Sequence, residues 1–319
     1  MSGEKSVAKA ISSLGDRGKA PASVRALDTW IASAERAVGP RAQGRVGWLV
    51  SSTVASAKLM QVLARDGTSA FALKGGTLLQ YRLELDSRAT RDIDGIVRCD
   101  MDHFAEALDE ALRTPWGAIS FSRGAMEEFA VPGKVVKPRR FDLLMSIAGR
   151  PWRRVKVEIS PDEGAHGTAS ESFEPPSLAH FGLPTPDSLV GISMAYQIAE
   201  KYHAVTDPHE PPLFVNDRAR DVVDLLLLKR LVEEAGTPAG DEIAAAVLDI
   251  FDSRAAEAAA AGYPVRSLPA RIVAYPHWAN DYERAAKSIG IDLTLETAVE
   301  KVNTWLELIF SAVDGTVHA

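Results

Sequence analysis

The sequence contains a single cysteine, Cys99, among 319 residues. One cysteine can form no internal disulfide bond, and it excludes zinc sites that are built from several thiolates. A chain without structural disulfides is typical of a reducing compartment. We therefore expect a cytoplasmic protein.

Long apolar runs are also missing. No stretch approaches the roughly 20 apolar residues that a membrane-spanning helix needs. The first twenty residues carry charges throughout and contain no apolar segment, so we expect no secretion signal there. The 46% hydrophobic content is nevertheless sufficient for a sizeable core. A soluble protein without a membrane partner is the expectation.

The chain lacks an excess of positive charge, since its formal net charge is −7. This balance argues against binding nucleic acid with the whole surface, but steering depends on where the charges lie. The stretch from Lys134 to Lys156 contains eight basic residues and one acidic residue, Asp142. We expect it to hold an RNA backbone, with Trp152 at a hairpin tip stacking on an unpaired base. The candidate RNA-binding residues are Arg139, Arg140, Arg153 and Arg154. The alternative is a charged hairpin that keeps a sheet edge soluble.

The spacing of apolar residues predicts short strands and helices up to about residue 160 and helices from Asp187 onward. The helices are predicted at 23–38, 45–65, 77–85 and 101–113, and the strands at 70–73 and 92–97. A β-hairpin is predicted around Gly149. The expected fold is an α/β (α+β) core with a small mixed sheet, followed by a mostly α-helical C-terminal domain. The expected domains are residues 1–185 and 186–319.

The segment Asp92-Ile93-Asp94 places two carboxylates on one face of a predicted strand, because alternate side chains share a face. Two adjacent carboxylates repel each other, and Mg²⁺ offsets this repulsion because it prefers hard oxygen ligands. Two metal ions can activate an attacking oxygen and hold a departing phosphate. Without further context, the same pair also fits a solvated polar strand end.

A glycine pair precedes this strand in the segment Lys74-Gly75-Gly76-Thr77. Glycine allows close approach of a ligand to the backbone, and the free N–H groups at a helix start bind phosphate. Thr77 can cap the helix or contact phosphate. The segment lacks the longer P-loop pattern that ends in Gly-Lys-Ser/Thr, which argues against an ordinary P-loop NTPase. Glycines and threonines are also common in turns and caps.

The order of these two segments, about 16 residues apart, is the layout of the DNA polymerase beta nucleotidyltransferase superfamily. That superfamily has a third acidic residue on a neighbouring strand. Glu158 is our candidate, although many nucleotidyltransferases use aspartate there. Asp142 is the alternative, and each of the two also fits a solvent-facing strand position.

More specifically, the sequence resembles the AbiEii/MenT nucleotidyltransferase toxins of bacterial toxin–antitoxin systems. The resemblance rests on LKGGTLLQYRL, SRATRDIDGIV and RVKVEIS, and it extends from about Val50 to the C-terminus. Weaker matches are the lysine-bearing helix around Lys201 and the Arg-x-x-Asp segment that ends at Asp221. It implies a nucleotidyltransferase core with a helical C-terminal domain that contributes to the active site.

The resemblance also implies roles for individual residues. Asp92, Asp94 and Glu158 would ligate Mg²⁺ and, with Lys201 and Asp221, form the catalytic group. The nucleotide would be bound by Lys74, Gly75, Gly76, Thr77, Arg82 and Lys201. Lys201 also fits a solvated helix lysine, and Arg220 with Asp224 fits a surface ion pair. Thr90 is a candidate regulatory residue, because a phosphate there would repel the substrate.

The resemblance implies that the 3′ acceptor end of tRNA attacks an NTP and that this modification blocks translation. It also implies control by a cognate antitoxin. Two alternatives stay open. One is nucleotide transfer to a protein side chain, and the other is a nucleotide- or RNA-binding regulatory module without catalysis. The sequence does not distinguish between the four NTPs.

Overall fold

The computed structural model describes residues 6–84, 87–131, 137–165 and 169–316. Lys134 and the predicted end of a helix at residue 85 lie outside these ranges. The described residues divide into two compact units. Residues 6–130, 137–162 and 170–191 form the first unit, and the remaining described residues form the second.

The first unit contains a mixed sheet and five helices within the described residues. Its helices are α1 (Val7–Ser12), α2 (Val24–Val38), α3 (Val46–Leu59), α4 (Gly75–Arg82) and α5 (Met101–Leu112). The strands are β1 (Phe71–Lys74), β2 (Asp92–Val97), β3 (Ile119–Arg123), β4 (Glu127–Glu128), β5 (Arg139–Ile147), β6 (Arg150–Pro161), β7 (Ser170–Phe173) and β8 (Leu189–Ile192).

The strand order is β3-β5-β6-β2-β1-β8-β7, with β4 paired to β5. Strand β2 is antiparallel to β1 and parallel to β6, so it lies near the centre of the sheet. Strands β5 and β6 form the predicted hairpin, whose turn is Ala148-Gly149, both with positive φ. The central position of β2 places the Asp92-Ile93-Asp94 segment between two neighbouring strands.

Alternation along the central strands separates an apolar face from a polar face. Ile93, Val157 and Phe141 are register partners across β2, β6 and β5, and all three are buried. At 20–33 cal/mol per Å² of buried apolar surface, such rows are the main stabilising contribution to the sheet. Along each strand, the residues that alternate with these three point to the other face of the sheet and form its polar side.

The predicted helices and strands of this unit are confirmed, but α3 and β8 differ from the prediction, and α1 and β7 are additional elements that were not predicted. Helix α3 ends at Leu59 rather than at residue 65, because the chain turns there and pairs Leu63 with Ser69 in a β-bridge. Strand β8 lies where only helix was predicted. Its four residues are too few for the spacing of apolar residues to distinguish a strand from a helix.

The second unit is helical within the described residues. Its helices are α6 (Met194–Val205), α7 (Ala219–Ala235), α8 (Gly240–Ala260), α9 (Ala279–Lys287) and α10 (Leu295–Thr316). Helix α6 packs on α7 and α8, and α10 packs on both of these. The helical C-terminal region predicted from the sequence is therefore confirmed. None of the described helices is long and apolar enough to cross a membrane.

Candidate active site

The register of the sheet aligns the two acidic residues of β2 with one acidic and one basic residue of β6. Asp94 is the direct register partner of Glu158, and Asp92 is the partner of Lys156. Neighbouring strands lie about 4.8 Å apart, so register partners on one face are in contact range. Asp92, Asp94 and Glu158 thus share the polar face of two adjacent strands. Lys74 of β1 is the partner of Asp94 on the other side.

Asp142 lies farther from the two β2 carboxylates than Glu158 does. It pairs in register with Lys156, so one whole strand separates it from Asp92. Its carboxylate forms an ion pair with Arg154, and the hydrogen bond from Arg154 holds the pKa of Asp142 below its ordinary value. This position favours Glu158 as the third acid.

The Lys156 ammonium lies among the carboxylates of the polar face. It forms an ion pair with Glu158 on the same strand. The hydrogen bond to Glu158 raises the pKa of Lys156, and the charges of Glu158 and Asp92 act in the same direction. A positive charge therefore already offsets part of the repulsion between these acids.

Three carboxylates on one face are suitable donors for Mg²⁺, which prefers oxygen ligands. Among the residues that the structure describes, however, no three His, Cys, Asp or Glu side chains are grouped closely enough to hold a metal ion. The Glu158 carboxylate is turned towards Lys156. Rotation of this one side chain away from Lys156 would direct it to Asp94, its register partner.

The turn between β1 and α4 lies against the Asp94 carboxylate. Gly75 has a φ of +64°, and a Cβ atom built there would be 2.4 Å from Asp94 Oδ2. A side chain at this position would displace the carboxylate, and the backbone conformation disfavours L-residues. Glycine is therefore needed at position 75 for both reasons. The start of α4 and the proposed metal ligand are in direct contact.

Two threonines lie at the same turn. Thr77 is buried, and its hydroxyl donates a 2.6 Å hydrogen bond to the Asp92 carbonyl oxygen. The Thr77 side chain thus fixes the start of β2, and only its backbone N–H is left for the predicted nucleotide contact. A Cβ atom at Gly76 would lie 3.1 Å from Thr90 Oγ1. The candidate regulatory hydroxyl of Thr90 is therefore beside the glycine turn.

The two remaining nucleotide-binding candidates of the first unit are the side chains of Lys74 and Arg82. Lys74 Nζ donates to Ser160 Oγ over 2.8 Å, so it stays on the sheet. Arg82 is at the far end of α4, about 10 Å along the helix axis from Gly75. Its guanidinium pairs with Glu171 of β7 at 2.6 Å. The structure does not bring Arg82 to the glycine turn.

In the second unit, Lys201 lies between two aspartates of α7. Its Nζ donates to Asp221 Oδ1 at 2.8 Å and to Asp224 Oδ2 at 2.6 Å. Lys201 is 6% exposed and Asp224 is fully buried. Asp224 therefore does not form the surface ion pair with Arg220 that was the alternative interpretation. Its role was missed because sequence spacing does not report burial.

The basic stretch on the hairpin is paired with acidic residues, so it is less positive than its sequence suggests. The ion pairs are Arg139 with Asp102 and Glu128, Arg140 with Glu127, Arg153 with Asp28, and Arg154 with Asp142. The expectation that Trp152 stacks on a base is wrong. Trp152 is 7% exposed, lies on β6 three residues after Gly149 of the turn, and donates its indole N–H to Asp28.

Paired carboxylates beside a glycine turn on a mixed sheet are the arrangement of a nucleotidyltransferase. The family model described as nucleotidyl transferase AbiEii toxin of type IV toxin–antitoxin systems matches residues 59–307. The chain therefore belongs to the AbiEii family of nucleotidyltransferase toxins. It is an NTP-dependent nucleotidyltransferase, as predicted from the motifs.

Several solved structures align with most of the chain at low identity. JHP933 from Helicobacter pylori is 12% identical, with a TM-score of 0.44 over 86% of this chain and 96% of that one. A putative nucleotidyltransferase from H. pylori is 13% identical, with a TM-score of 0.42 over 83% and 95%. MenT4, a nucleotidyltransferase toxin from Mycobacterium tuberculosis, is 18% identical, with a TM-score of 0.43 over 84% and 99%. No curated protein sequence gives a significant match.

Proposed function

We propose that the chain transfers a nucleotide from an NTP to the 3′ acceptor end of tRNA, and that it does so with Mg²⁺. The observation that supports the transfer centre is the shared face of Asp92, Asp94 and Glu158, next to the turn at Gly75. Membership of a toxin family supports the further proposal that a cognate antitoxin controls it. The cytoplasm, where tRNA functions, is the proposed location.

Asp92, Asp94 and Glu158 would hold the metal ion, which when bound supplies Lewis-acid stabilisation of charge on the phosphates. The backbone N–H groups at the start of α4 would bind the triphosphate, because they lie at the positive end of the helix dipole. Gly75 permits this approach, since it carries no side chain of its own. Lys201 and Asp221 remain predicted contributors from the helical domain, residues 186–319.

In the proposed reaction, the terminal 3′-hydroxyl oxygen forms a bond to the α-phosphorus of the NTP. The bond between the α-phosphorus and the bridging oxygen breaks, and pyrophosphate leaves with that oxygen. The hydroxyl proton passes to a carboxylate of the polar face or to water. The RNA becomes longer by one nucleotide, so its acceptor end is blocked.

A cleft in the first unit that is lined by arginines is a candidate surface for the acceptor. Its volume is about 1060 Å³, and it lies between α2 and the β5–β6 hairpin. The exposed residues Arg25, Arg36 and Arg150 line it, together with Asp28. Exposed arginines bind RNA phosphates. The four arginines predicted from the sequence remain candidates, although each already has an acidic partner.

Transfer to a protein side chain stays a second candidate, because the acidic partners of the hairpin arginines reduce the positive charge available to RNA. The test is incubation of the purified protein with Mg²⁺ and each labelled NTP, with total tRNA and total protein offered separately. Label in the tRNA is the expected result. Label in protein alone would mean that the acceptor is a protein and not tRNA. No label in either would contradict the proposal.

A further inference from the structure

Three aromatic side chains of the second unit form a cluster of neighbouring rings. The imidazoles of His209 and His277 are stacked, with centroids 4.5 Å apart and planes 16° apart. Tyr275 lies 4.4 Å from His209 and 5.7 Å from His277. These distances are in the range in which π systems attract one another.

One buried residue, Asn216, holds both imidazoles in place. Its backbone N–H donates to His209 Nδ1 at 3.2 Å, and its carbonyl oxygen accepts from His277 Nε2 at 2.9 Å. These partners assign the proton of each ring to Nε2. The indole N–H of the buried Trp278 also donates to this carbonyl oxygen. The rings are thus fixed in orientation before any ligand arrives.

The same residue connects the rings to the helix ends near Lys201 and Asp221. The Asn216 side chain donates to the carbonyl oxygens of Val205 and Asp207, at the end of α6. It also accepts from the backbone N–H of Arg218, where α7 begins. The cluster is therefore built onto the segment that joins the helices carrying the lysine and the aspartates.

The outer ring of the cluster is accessible. The His277 side chain retains 36% of its surface although His209 covers one of its faces. Tyr275 and His209 are half-buried, so the cluster has a supported inner side and an open outer side. The exposed carboxylate of Asp217 lies 3.4 Å from His277 Nε2 and supplies a hydrogen-bond acceptor at the edge of the rings.

We propose that His209, Tyr275 and His277 form a stacking platform for a nucleobase. The inference rests on the proposed function, because both substrates of that reaction carry bases. An exposed aromatic ring that is held in place and has a polar edge suits a base, since every base has a π face and hydrogen-bonding edges. The base comes either from the NTP or from the unpaired end of the RNA acceptor.

The test measures equilibrium binding, so that it does not depend on turnover. The probes are each NTP and an RNA hairpin with a single-stranded 3′ end, compared with the same hairpin with a blunt end. The variants are His277→Ala, His277→Phe, Tyr275→Ala and Tyr275→Phe. His103→Ala is the matched control, because His103 is an exposed histidine on α5, far along the chain from the platform.

His277→Ala and Tyr275→Ala are expected to weaken the binding of one probe roughly ten-fold, which is the order expected for the loss of one base–aromatic stack. The two phenylalanine variants and the His103 control are expected to bind as the unaltered protein does. Weaker NTP binding assigns the platform to the nucleotide, and weaker binding of the single-stranded end assigns it to the acceptor.

Three results would overturn the platform. These are unchanged binding of both probes in the alanine variants, an equal loss in the phenylalanine variants, and no binding of either probe by the unaltered protein. Nucleotide transfer is assayed in parallel on the same preparations. If transfer is normal and the alanine variants bind both probes as the unaltered protein does, only the platform is rejected. If transfer is absent but binding depends on the rings, only the proposed reaction is rejected.

Discussion

At the scale of single residues, the candidate site depends on the contact between Gly75 and the Asp94 carboxylate. The turn and the strand are 19 positions apart, yet a single added methyl group at Gly75 would collide with an Asp94 oxygen. The Thr77 hydrogen bond to the Asp92 carbonyl acts on the same two elements. The positions of the two carboxylates are therefore set by small residues rather than by charged partners alone.

Gly75→Ala tests this contact. Left-handed backbone costs a residue other than glycine about 1–2 kcal/mol, and the added Cβ also displaces Asp94. Gly149→Ala is the matched control, because Gly149 has a φ of +73° and nothing lies within 4 Å of a Cβ there. Urea unfolding is expected to show a larger loss for Gly75→Ala, and only this variant is expected to lose nucleotide transfer. Equal losses of stability with transfer retained in both would show that the contact is unimportant.

The residues that carry the acidic motif could be predicted from the sequence because their spacing is local. Asp92 and Asp94 are on one strand, and the glycine turn directly follows another. Asp224 could not be predicted, because its importance comes from complete burial beside Lys201. Trp152 was misjudged for the same reason, since the packing of α2 against the hairpin determines its exposure.

At the scale of elements, the Lys201 cluster joins α6 to α7 with charged groups instead of apolar side chains. A buried charge is tolerated when it is paired, and removal of one partner leaves the other uncompensated. Two partners of Lys201 are Asp224, which is buried, and Asp221, which is partly exposed. The two aspartates should therefore contribute unequally to stability.

Asp224→Ala is expected to reduce the free energy of unfolding by about 3–5 kcal/mol, the order found when a buried pair is broken. Asp221→Ala should cost less, because Asp224 still pairs with Lys201 and water reaches position 221. The double variant Lys201→Met with Asp224→Leu should recover most of the loss. Chemical denaturation measures all three, and an Asp221→Ala loss as large as that of Asp224→Ala would contradict the assignment.

A second buried lysine, Lys58 of α3, gives a pH dependence at the element scale. Its Nζ donates to the Gln61 side chain and to the carbonyl oxygen of Ala111 near the end of α5, each at 2.8 Å. Burial lowers the pKa of Lys58 from its ordinary value of 10.5. Between the lowered pKa and 10.5, the unfolded chain binds a proton that the folded chain has released, so stability rises with pH.

The measurement is urea unfolding of the unaltered protein and of Lys58→Met at about pH 8 and about pH 10. The difference in unfolding free energy between the two proteins should shift with pH in favour of the unaltered protein. A difference that is constant over this range would mean that the folded-state pKa is not lowered.

Elements with clear periodicity could be predicted from the sequence, whereas short ones could not. Strand β2 and helix α2 have the predicted bounds to within one residue, since alternation and capping by Ser23 define them locally. Strands β7 and β8 have four residues each, and their pairing with distant strands decides their conformation. The third acid also needed the register, because the sequence alone does not say whether β5 or β6 neighbours β2.

At the scale of the whole molecule, a chain with a net charge of −7 is expected to act on an anionic nucleotide and a polyanionic acceptor. This is possible when positive groups are local, and phosphate binding then depends on salt. The first unit provides backbone N–H donors at α4, carboxylates that are proposed to hold Mg²⁺, and three exposed arginines in one cleft. The overall negative charge keeps unspecific nucleic-acid binding low.

The central claim is that the carboxylates of β2 and β6 form the transfer centre. The direct measurement is Mg²⁺-dependent incorporation of labelled nucleotide by the unaltered protein, Asp94→Asn and Asp142→Asn, into the acceptor that the labelling assay identifies. Asp94→Asn should lose at least about a hundred-fold in rate, since a metal ligand supports several kcal/mol of charge stabilisation. Asp142→Asn should retain most of its activity, and both variants should remain folded. Full activity of folded Asp94→Asn, or loss confined to Asp142→Asn, would contradict the account.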